Sequence, residues 1–358
     1  MVPEGWERHL VGKICSSIVP GRNKPKCFDG DIPWVTTPEI DGKYLPSSKQ
    51  KNFIAEDEIK ASGAKLVPAG SVVMAAVGEL GLVAIAKRSI VLNQQLHAFV
   101  PGKQINEEYL AYWLSTQRPF MMSIASKTTI PYLNKSNCES IPVLTPPLPE
   151  QRKIAQILST WDKAITTTEQ LLANSQQQKK ALMQQLLTGK KRLLDENGVR
   201  FGGRWERVSL GELLDRASNG VTYDSKSQSG LPVTRIETIS TGEINFDKVG
   251  FAPDTDKTRK HRLMKGDILY SHINSLEHIG RVAYYDSEIP LYHGMNLMLL
   301  RANKSSSSLF IFHLLNSFIG KHLAKRFAKS AVNQASISTT DLKSFNINIP
   351  AVGEQKKI

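Results

Sequence analysis

The stretch EQRKIAQILSTWDKAITTTEQLLANSQQQKKALMQQLL, Glu150 to Leu187, decides how the rest of the chain is read. Ile154, Leu158, Trp161, Ile165, Thr168, Leu172, Ser175, Lys179, Leu182 and Leu186 advance along it by alternating fours and threes, the spacing that lays one seam down a long helix. Neither Pro nor Gly falls between Gln151 and Thr188, whereas Pro146, Pro147 and Pro149 stand before the run and Gly189 just after it. This punctuation predicts one helix of roughly 35 to 40 residues, a rod on the order of 55 Å long at about 1.5 Å per residue. The apolar seam of Ile154, Leu158, Trp161, Ile165, Leu172, Leu182 and Leu186 calls for a partner helix. A spacer or dimerisation element is the plainest use of such a rod, and its surroundings say more.

The opening of the rod occurs twice. Glu150-Gln151-Arg152-Lys153-Ile154 returns as Glu354-Gln355-Lys356-Lys357-Ile358, which is expected to begin a second rod. Gly5-Trp6-Glu7-Arg8-His9-Leu10 at the start of the chain is echoed by Arg204-Trp205-Glu206-Arg207-Val208-Ser209 after the rod. The same offset carries Pro33 onto Pro232, Ile40 onto Ile239, and Gly81-Leu82-Val83-Ala84 onto Gly280-Arg281-Val282-Ala283. Between these anchors Ala69-Gly70-Ser71-Val72-Val73-Met74 matches Lys265-Gly266-Asp267-Ile268-Leu269-Tyr270, in each case a glycine turn running into an apolar strand. Each half is expected to carry a short helix, Asn106 to Leu114 and Leu309 to Leu323. Each is also expected to close on a Pro-flanked strand, at the end of Ile130 to Pro147 and of Asn333 to Pro350. A period this long marks a duplicated domain rather than a solenoid. The expected organisation is an α+β chain with similar globules at 1–149 and 195–350, the long helix and its exit at 150–194, and the start of a second helix at 351–358. The matched positions are framework, Trp, Gly, Pro and aliphatics, while polar loops such as Gly21 to Lys26 and Asn219 to Asp224 have no likeness to each other. One scaffold with two sets of loops suits two copies of one binding fold that read different things.

At 358 residues, 41% apolar and 22% charged, the chain has the composition of a soluble protein with two or three real cores. Lys and Arg exceed Asp and Glu by 46 to 33, a net +13 that favours a polyanionic partner, although the excess is spread over the whole chain. Cys15, Cys27 and Cys138 form no CxxC pair, so neither a disulfide framework nor a zinc ribbon is expected and a reducing cytoplasm is the default compartment. The run Gly70 to Ala86, GSVVMAAVGELGLVAIA, is short for a membrane span, carries Glu79 and breaks at Gly78 and Gly81; it reads as two buried strands and a turn.

Taken together, Pro146-Pro147-Leu148-Pro149-Glu150-Gln151-Arg152-Lys153-Ile154, Pro350 with Glu354 to Ile358, the paired Trp6 and Trp205 openings and Lys265-Gly266-Asp267-Ile268-Leu269 resemble the specificity subunit of type I restriction-modification systems. The likeness covers essentially the whole chain. It implies two target-recognition domains alternating with two long helices that form an antiparallel coiled coil, here with the second helix cut short at Ile358. It also implies a non-catalytic reader of double-stranded DNA. That reader would recruit two modification subunits, which methylate adenine at N6, and through them the restriction subunits, with no membrane association. S-adenosylmethionine, ATP and Mg are expected on those partners and no cofactor on this chain. In keeping with this, the sequence has no NPPY- or DPPY-type motif, no GxxxxGK[ST] loop, no HExxH and no Cys cluster. The competing readings are a stand-alone sequence-specific or architectural DNA-binding protein, the recognition part of a combined restriction-modification enzyme, and a coiled-coil structural protein.

Reading bases takes Arg for guanine and Asn or Gln for adenine, presented on loops. The candidates in the first globule are Arg22, Asn23, Lys24 and Lys26; Lys49, Gln50 and Lys51; Asn93, Gln94 and Gln95; and Lys127. In the second they are Tyr223, Arg235, the cluster Lys257, Arg259, Lys260 and Arg262, then His272 and Asn274, and Lys329 and Asn333. Lys321, Lys325, Arg326 and Lys329 are expected on one stretch of helix that could clamp phosphates. Trp6 and Trp205 are assigned to framework, and Trp34 to the core.

Overall fold

A computed structural model describes every residue except Met1, Arg22, Lys127, Thr128, Ser225, Lys226, Gln228, Val332 and Asn333, together with the side chains of Ser330 and Ala331. The candidates Arg22, Lys127 and Asn333 thus lie outside the described residues. The chain divides into two compact units, Met1–Gln170 and Leu171–Ile358.

Unit 1 is built on the run read as two buried strands. Val72–Ala75 and Val83–Ala86 pair antiparallel, with Val72 opposite Ile85 and Met74 opposite Val83. They form the middle of a five-stranded sheet ordered Cys15–Ile18, Leu96–Pro101, Val72–Ala75, Val83–Ala86, Tyr44–Leu45. Alternation sends Val72, Met74, Ile85 and Phe99 into a core beneath the helix Glu107–Thr116, and Val73, Ala75, Ala84 and Ala98 into a second core. That second core is shared with strands Ile32–Val35, Ile90–Leu92 and Leu66–Val67 of a smaller sheet. Both faces of the central hairpin are therefore covered, which is why its sequence is continuously apolar instead of alternating.

Unit 2 repeats the plan with the order Leu214–Asn219, Met298–Ala302, Ile268–Tyr270, Val282–Tyr284. Ile268 and Tyr270 face the helical side, and Leu269, Ala283 and Leu299 the other. The matched glycines Gly81 and Gly280 explain themselves. Both have positive φ, +88° and +78°, and a Cβ there would lie 2.8 Å from Cβ of Arg118 and 2.5 Å from Cβ of Ala324. Each hairpin turn is pressed against the second helix of its unit, where only glycine fits. In both units the opening strand pairs with the closing Pro-flanked strand, Glu7 opposite Thr145 and Glu206 opposite Ile349.

Two features differ from the expectation. The helix expected over Leu309 to Leu323 is two helices, Ser308–Asn316 and Phe318–Phe327, and a second helix, Arg118–Ile124, also follows the first in unit 1. Ser317 makes the break: its backbone is extended (φ −75°, ψ 175°), its Oγ accepts from the Ile319 N–H and donates to the Leu314 carbonyl. Unit 2 also has a three-stranded sheet, Ile273–Asn274, Gln334–Ser336 and Lys329–Ala331, that the sequence reading did not expect. Lys329 therefore lies on a strand, not on the helix with Lys321, Lys325 and Arg326.

The rod runs unbroken from Leu148 to Leu187, 40 residues. Pro149 sits in its first turn, where a missing N–H costs nothing. Gly189 ends it at φ +69°, its N–H on the Leu186 carbonyl at 3.1 Å. Ile154 packs on the unit 1 core and Leu186 is half-buried, but Leu158, Trp161, Ile165, Leu172 and Leu182 are exposed, Trp161 to 65%. Among the described residues nothing in this chain covers that seam.

Candidate nucleic-acid interface

The recurring Glu-Gln pair has a structural reason that its position in sequence does not disclose. Gln151, fully buried, donates from Nε2 to the carbonyls of Pro146 (2.8 Å) and Gln104 (2.9 Å) and accepts the Asn106 N–H on Oε1 (2.8 Å). Gln355, 2% exposed, repeats this in unit 2, with Nε2 on the Pro350 carbonyl (2.8 Å) and Oε1 accepting the Ser307 N–H (2.9 Å). Asn106 and Ser307 are the N-caps of the helices Glu107–Thr116 and Ser308–Asn316. One amide thus ties the closing strand of each unit to the start of its helix. The neighbouring glutamates differ. Glu150 accepts from Trp6 Nε1 at 3.3 Å, whereas Glu354, 1% exposed, takes a two-pronged bond from Arg192 (2.7 and 2.6 Å) and leaves buried Trp205 Nε1 without a partner among the described residues. This common frame holds the loops that carry the candidates.

In unit 1 the structure brings two separately chosen loops together. Asn23 and Lys24 meet Asn93, Gln94 and Gln95 around a recess of about 330 Å³, with Trp34 and Leu92 in its wall. Trp34 is 8% exposed, as a core residue should be, yet it also lines the recess, with Phe28 at 5.2 Å between ring centroids and the Lys24 ammonium 5.9 Å from its own. The other candidates are arranged differently. Lys26 is exposed, and its N–H is held by Glu58 at 2.6 Å. Lys49 pairs with Asp41 at 3.2 Å. Gln50 turns inward, giving Nε2 to the carbonyls of Trp34 (3.1 Å) and Asn52 (2.8 Å), and braces the loop instead of facing outward. Lys51 is exposed while its N–H goes to Glu39. Tyr44 is tied down as well, donating to Glu108 at 2.9 Å.

In unit 2 the basic cluster is partly neutralised. Arg259 forms a two-pronged pair with Asp254 (2.6 and 2.9 Å) and Lys265 pairs with Glu288 (2.7 Å). Lys257, Lys260 and Arg262 are exposed and make no ion pair among the described residues. These three, around the short helix Asp256–Arg259, are the cations free to meet phosphate. Arg235 pairs with Glu237 at 3.1 Å and leaves its buried Nε unpartnered. Tyr223 packs with Val221, Val233 and Tyr292 and accepts from Asn296 Nδ2 at 2.9 Å. Lys329 pairs with Asp341 at 3.4 Å, and Asn274 bonds Ser271 Oγ at 3.1 Å. His272 is 5% exposed, and burial pushes its pKa down. It is a neutral core side chain and does not reach a base edge as folded, because the hairpin it follows is covered on that side.

A second recess, about 590 Å³, was only half legible. Lys321 and Lys325, one turn apart on Phe318–Phe327, share it with Lys179, Arg281 and His313 and with Glu243 and Glu277. The spacing of the two lysines is visible in sequence, but nothing there places Lys179 or Arg281 beside them. Burial, and then Lys179 nearby, lowers the pKa of His313, so it adds no charge at neutral pH.

The paired frame with unlike loops defines a class of protein. Over residues 3–174 and 203–358 the chain matches the family described as type I restriction modification DNA specificity domain, and it belongs to that family. A Methanocaldococcus jannaschii chain ascribed to the type I restriction enzyme MjaX as its specificity subunit is 46% identical over 159 residues, which are 43% of this chain and 37% of that one. The specificity subunit of the type I restriction enzyme MjaVIII from the same organism is 25% identical over 375 residues, 99% of this chain and 84% of that one. The crystal structure of the type I restriction-modification S subunit from M. genitalium has the same fold, with TM-score 0.59 and 15% identity over 99% of this chain and 87% of that one. No helix among the described residues is long and apolar enough to cross a membrane.

Proposed function

We propose that this chain is the DNA-reading subunit of a type I restriction-modification complex, with unit 1 and unit 2 each recognising one half of a split target and the rod setting the gap between the halves. The observation that carries the reading is one frame used twice, pinned by Gln151 and by Gln355, under loops that share nothing. Duplicating a frame while diverging its loops serves a molecule that must hold two different sequences at once. The exposed seam from Leu158 to Leu182 supports a partner helix, and the unpaired Lys257, Lys260 and Arg262 support contact with phosphate. Chemistry belongs to the partners in this reading. Modification subunits, two per complex, would methylate adenine with S-adenosylmethionine, turning the base out of the duplex into their own pocket; restriction subunits would use ATP and Mg.

Methylome sequencing in a host carrying this chain with its modification subunits tests the reading directly. The expected result is methylated adenine in a two-part motif with a fixed, unread gap. An uninterrupted motif, or methyl transfer by the purified chain alone, overturns it.

A further inference from the structure

We propose that Tyr112 is a positioning residue: its hydroxyl, held by Lys43, latches Asp162 of the rod and sets the direction in which the rod leaves unit 1, on which the gap between the half-sites depends. The inference rests on the reading of the chain as a DNA-specificity subunit and adds to it the residues that aim the spacer.

The rod is seated on unit 1 at two places. Its first turns are fixed by buried Gln151 and Ala155 and by Ile154 on the core. About 10 Å further along the axis Asp162 accepts the Tyr112 hydroxyl at 2.5 Å. From Trp161 to Leu182 every residue is exposed, and among the described residues no hydrogen bond beyond Asp162 joins the rod to the rest of unit 1. One anchor fixes where a rod starts; a second fixes where it points. The donor at that second anchor is itself fixed. Lys43 Nζ donates to the Tyr112 hydroxyl at 2.8 Å, and an ammonium group can only donate, so the phenol oxygen accepts there and its proton goes to Asp162. Lys43 forms an ion pair with Glu108, which also accepts the Tyr44 hydroxyl at 2.9 Å, and the Lys43 carbonyl accepts the Ile85 N–H at 2.8 Å at the edge of the central sheet. Sheet, helix and rod are thus joined through the half-buried side chains of Lys43, Glu108 and Tyr112. The frame does not need these bonds. Counted from the shared offset and from the N-caps Asn106 and Ser307, unit 2 has Gly242, Glu243, Leu309 and His313 in place of Lys43, Tyr44, Glu108 and Tyr112, and the same plan stands without them. What the bonds serve is therefore the rod. The lever is long: a tilt of about 5° at Asp162 moves Leu187, roughly 38 Å further on, by about 3 Å, the rise of one base pair.

The test uses the assembled modification complex with the full chain. Methyl transfer is measured on duplexes that keep both half-sites and carry the wild-type gap, one base pair fewer or one more. Tyr112→Phe keeps the ring beside the Lys43 ammonium, 4.0 Å from its centroid, and removes the hydroxyl. Asp162→Ala removes the acceptor from an exposed stretch of the rod, where no core is disturbed, and Asp162→Asn keeps an acceptor oxygen. A wrong gap forces the rod off its line, and the latch is what resists. The expected result is that Tyr112→Phe and Asp162→Ala each lower the preference for the wild-type gap roughly 10-fold, the worth of one hydrogen bond to a charged group. Asp162→Asn stays nearer the wild type than either, and the bases of both half-sites are unchanged. An equal loss at every gap, or a lower melting temperature with the gap preference intact, makes the bonds structural only and overturns the proposal. So does a changed base in either half-site, which would mean that the network holds the loop after Tyr44 and not the rod. If the wild-type complex itself yields no two-part motif, the underlying reading has failed instead.

Discussion

Gln151 and Gln355 show how one buried amide sets the geometry of a whole unit. Each satisfies a backbone N–H at the start of a helix and a buried carbonyl at the end of a closing strand, groups that have no other hydrogen bond among the described residues. Replacing Gln355 by Leu keeps the volume but leaves the Ser307 N–H and the Pro350 carbonyl unpaired, and unpaired buried polar groups cost about 1–3 kcal/mol each. Gln355→Leu should therefore destabilise the chain by about 2–4 kcal/mol, read as a lower midpoint in urea denaturation. A midpoint within error of the wild type would show that solvent reaches these groups. The same reasoning separates Gln50 from its neighbours. Its amide is turned inward onto Trp34 and Asn52, so Gln50→Ala should loosen the loop instead of altering one base position. Residue type marked Gln50 and Gln95 alike as possible readers. Only the structure shows the Gln50 amide spent on the Trp34 and Asn52 carbonyls, the first of them distant in sequence.

At the scale of the element, the rod was the most legible part of the chain and the small sheets the least. Ten seam positions follow the helical spacing between Ile154 and Leu186 without Pro or Gly, so local pattern and outcome agree. The central hairpins were legible for a like reason, since a Gly turn before a run of Val, Ile and Leu needs no distant information. The break at Ser317 was missed because an apolar sequence continues on both sides of it, and a single extended residue with a side-chain cap leaves a weak trace. The sheet of Ile273–Asn274, Lys329–Ala331 and Gln334–Ser336 was missed because its strands are two or three residues long and mostly polar, and Ile273–Asn274 lies far in sequence from the other two. The recesses were legible at most in fragments, such as the one-turn spacing of Lys321 and Lys325, since each gathers loops from positions that no periodicity links. For the rod, periodicity also gives a prediction. Four residues inserted near Ser175 add about 6 Å and turn the helix by roughly 400°, which nearly restores the seam's direction. With duplex DNA rising about 3.4 Å per base pair, the gap in the methylated motif should grow by about two base pairs while both half-sites stay the same. An unchanged gap would mean that the rod does not set the spacing.

At the scale of the molecule, the two units share a frame, and each carries a buried histidine that ties its stability to pH. His97 in unit 1 is 3% exposed and His293 in unit 2 is fully buried, and burial pushes both down to about 4. Among the described residues His97 Nε2 and His293 Nδ1 have no hydrogen-bond partner, and the Glu139 carboxylate, which favours a proton on His97, only partly offsets its burial. An unfolded histidine titrates near 6.5, so between about pH 6.5 and 4 the unfolded chain binds more protons than the folded one. Stability is then fully present above about 6.5 and falls as pH drops toward 4, by on the order of 2 kcal/mol for each site. Carboxylates held low by their partners, such as Asp254 beside Arg259 and Glu288 beside Lys265, contribute only from the lower end of this window downward. Melting of the full chain at pH 7.5, 5.5 and 4.5 should therefore show a falling Tm, with a smaller fall for His97→Leu, which fills the site against Phe99 without a titrating group. An equal fall in the variant would locate the acid sensitivity elsewhere in the molecule. At neutral pH both rings carry no charge, so neither adds to the net +13, and His97→Leu should leave any change in DNA affinity between pH 8 and 7 as it is in the wild type, whereas a smaller change in the variant would put His97 at the interface.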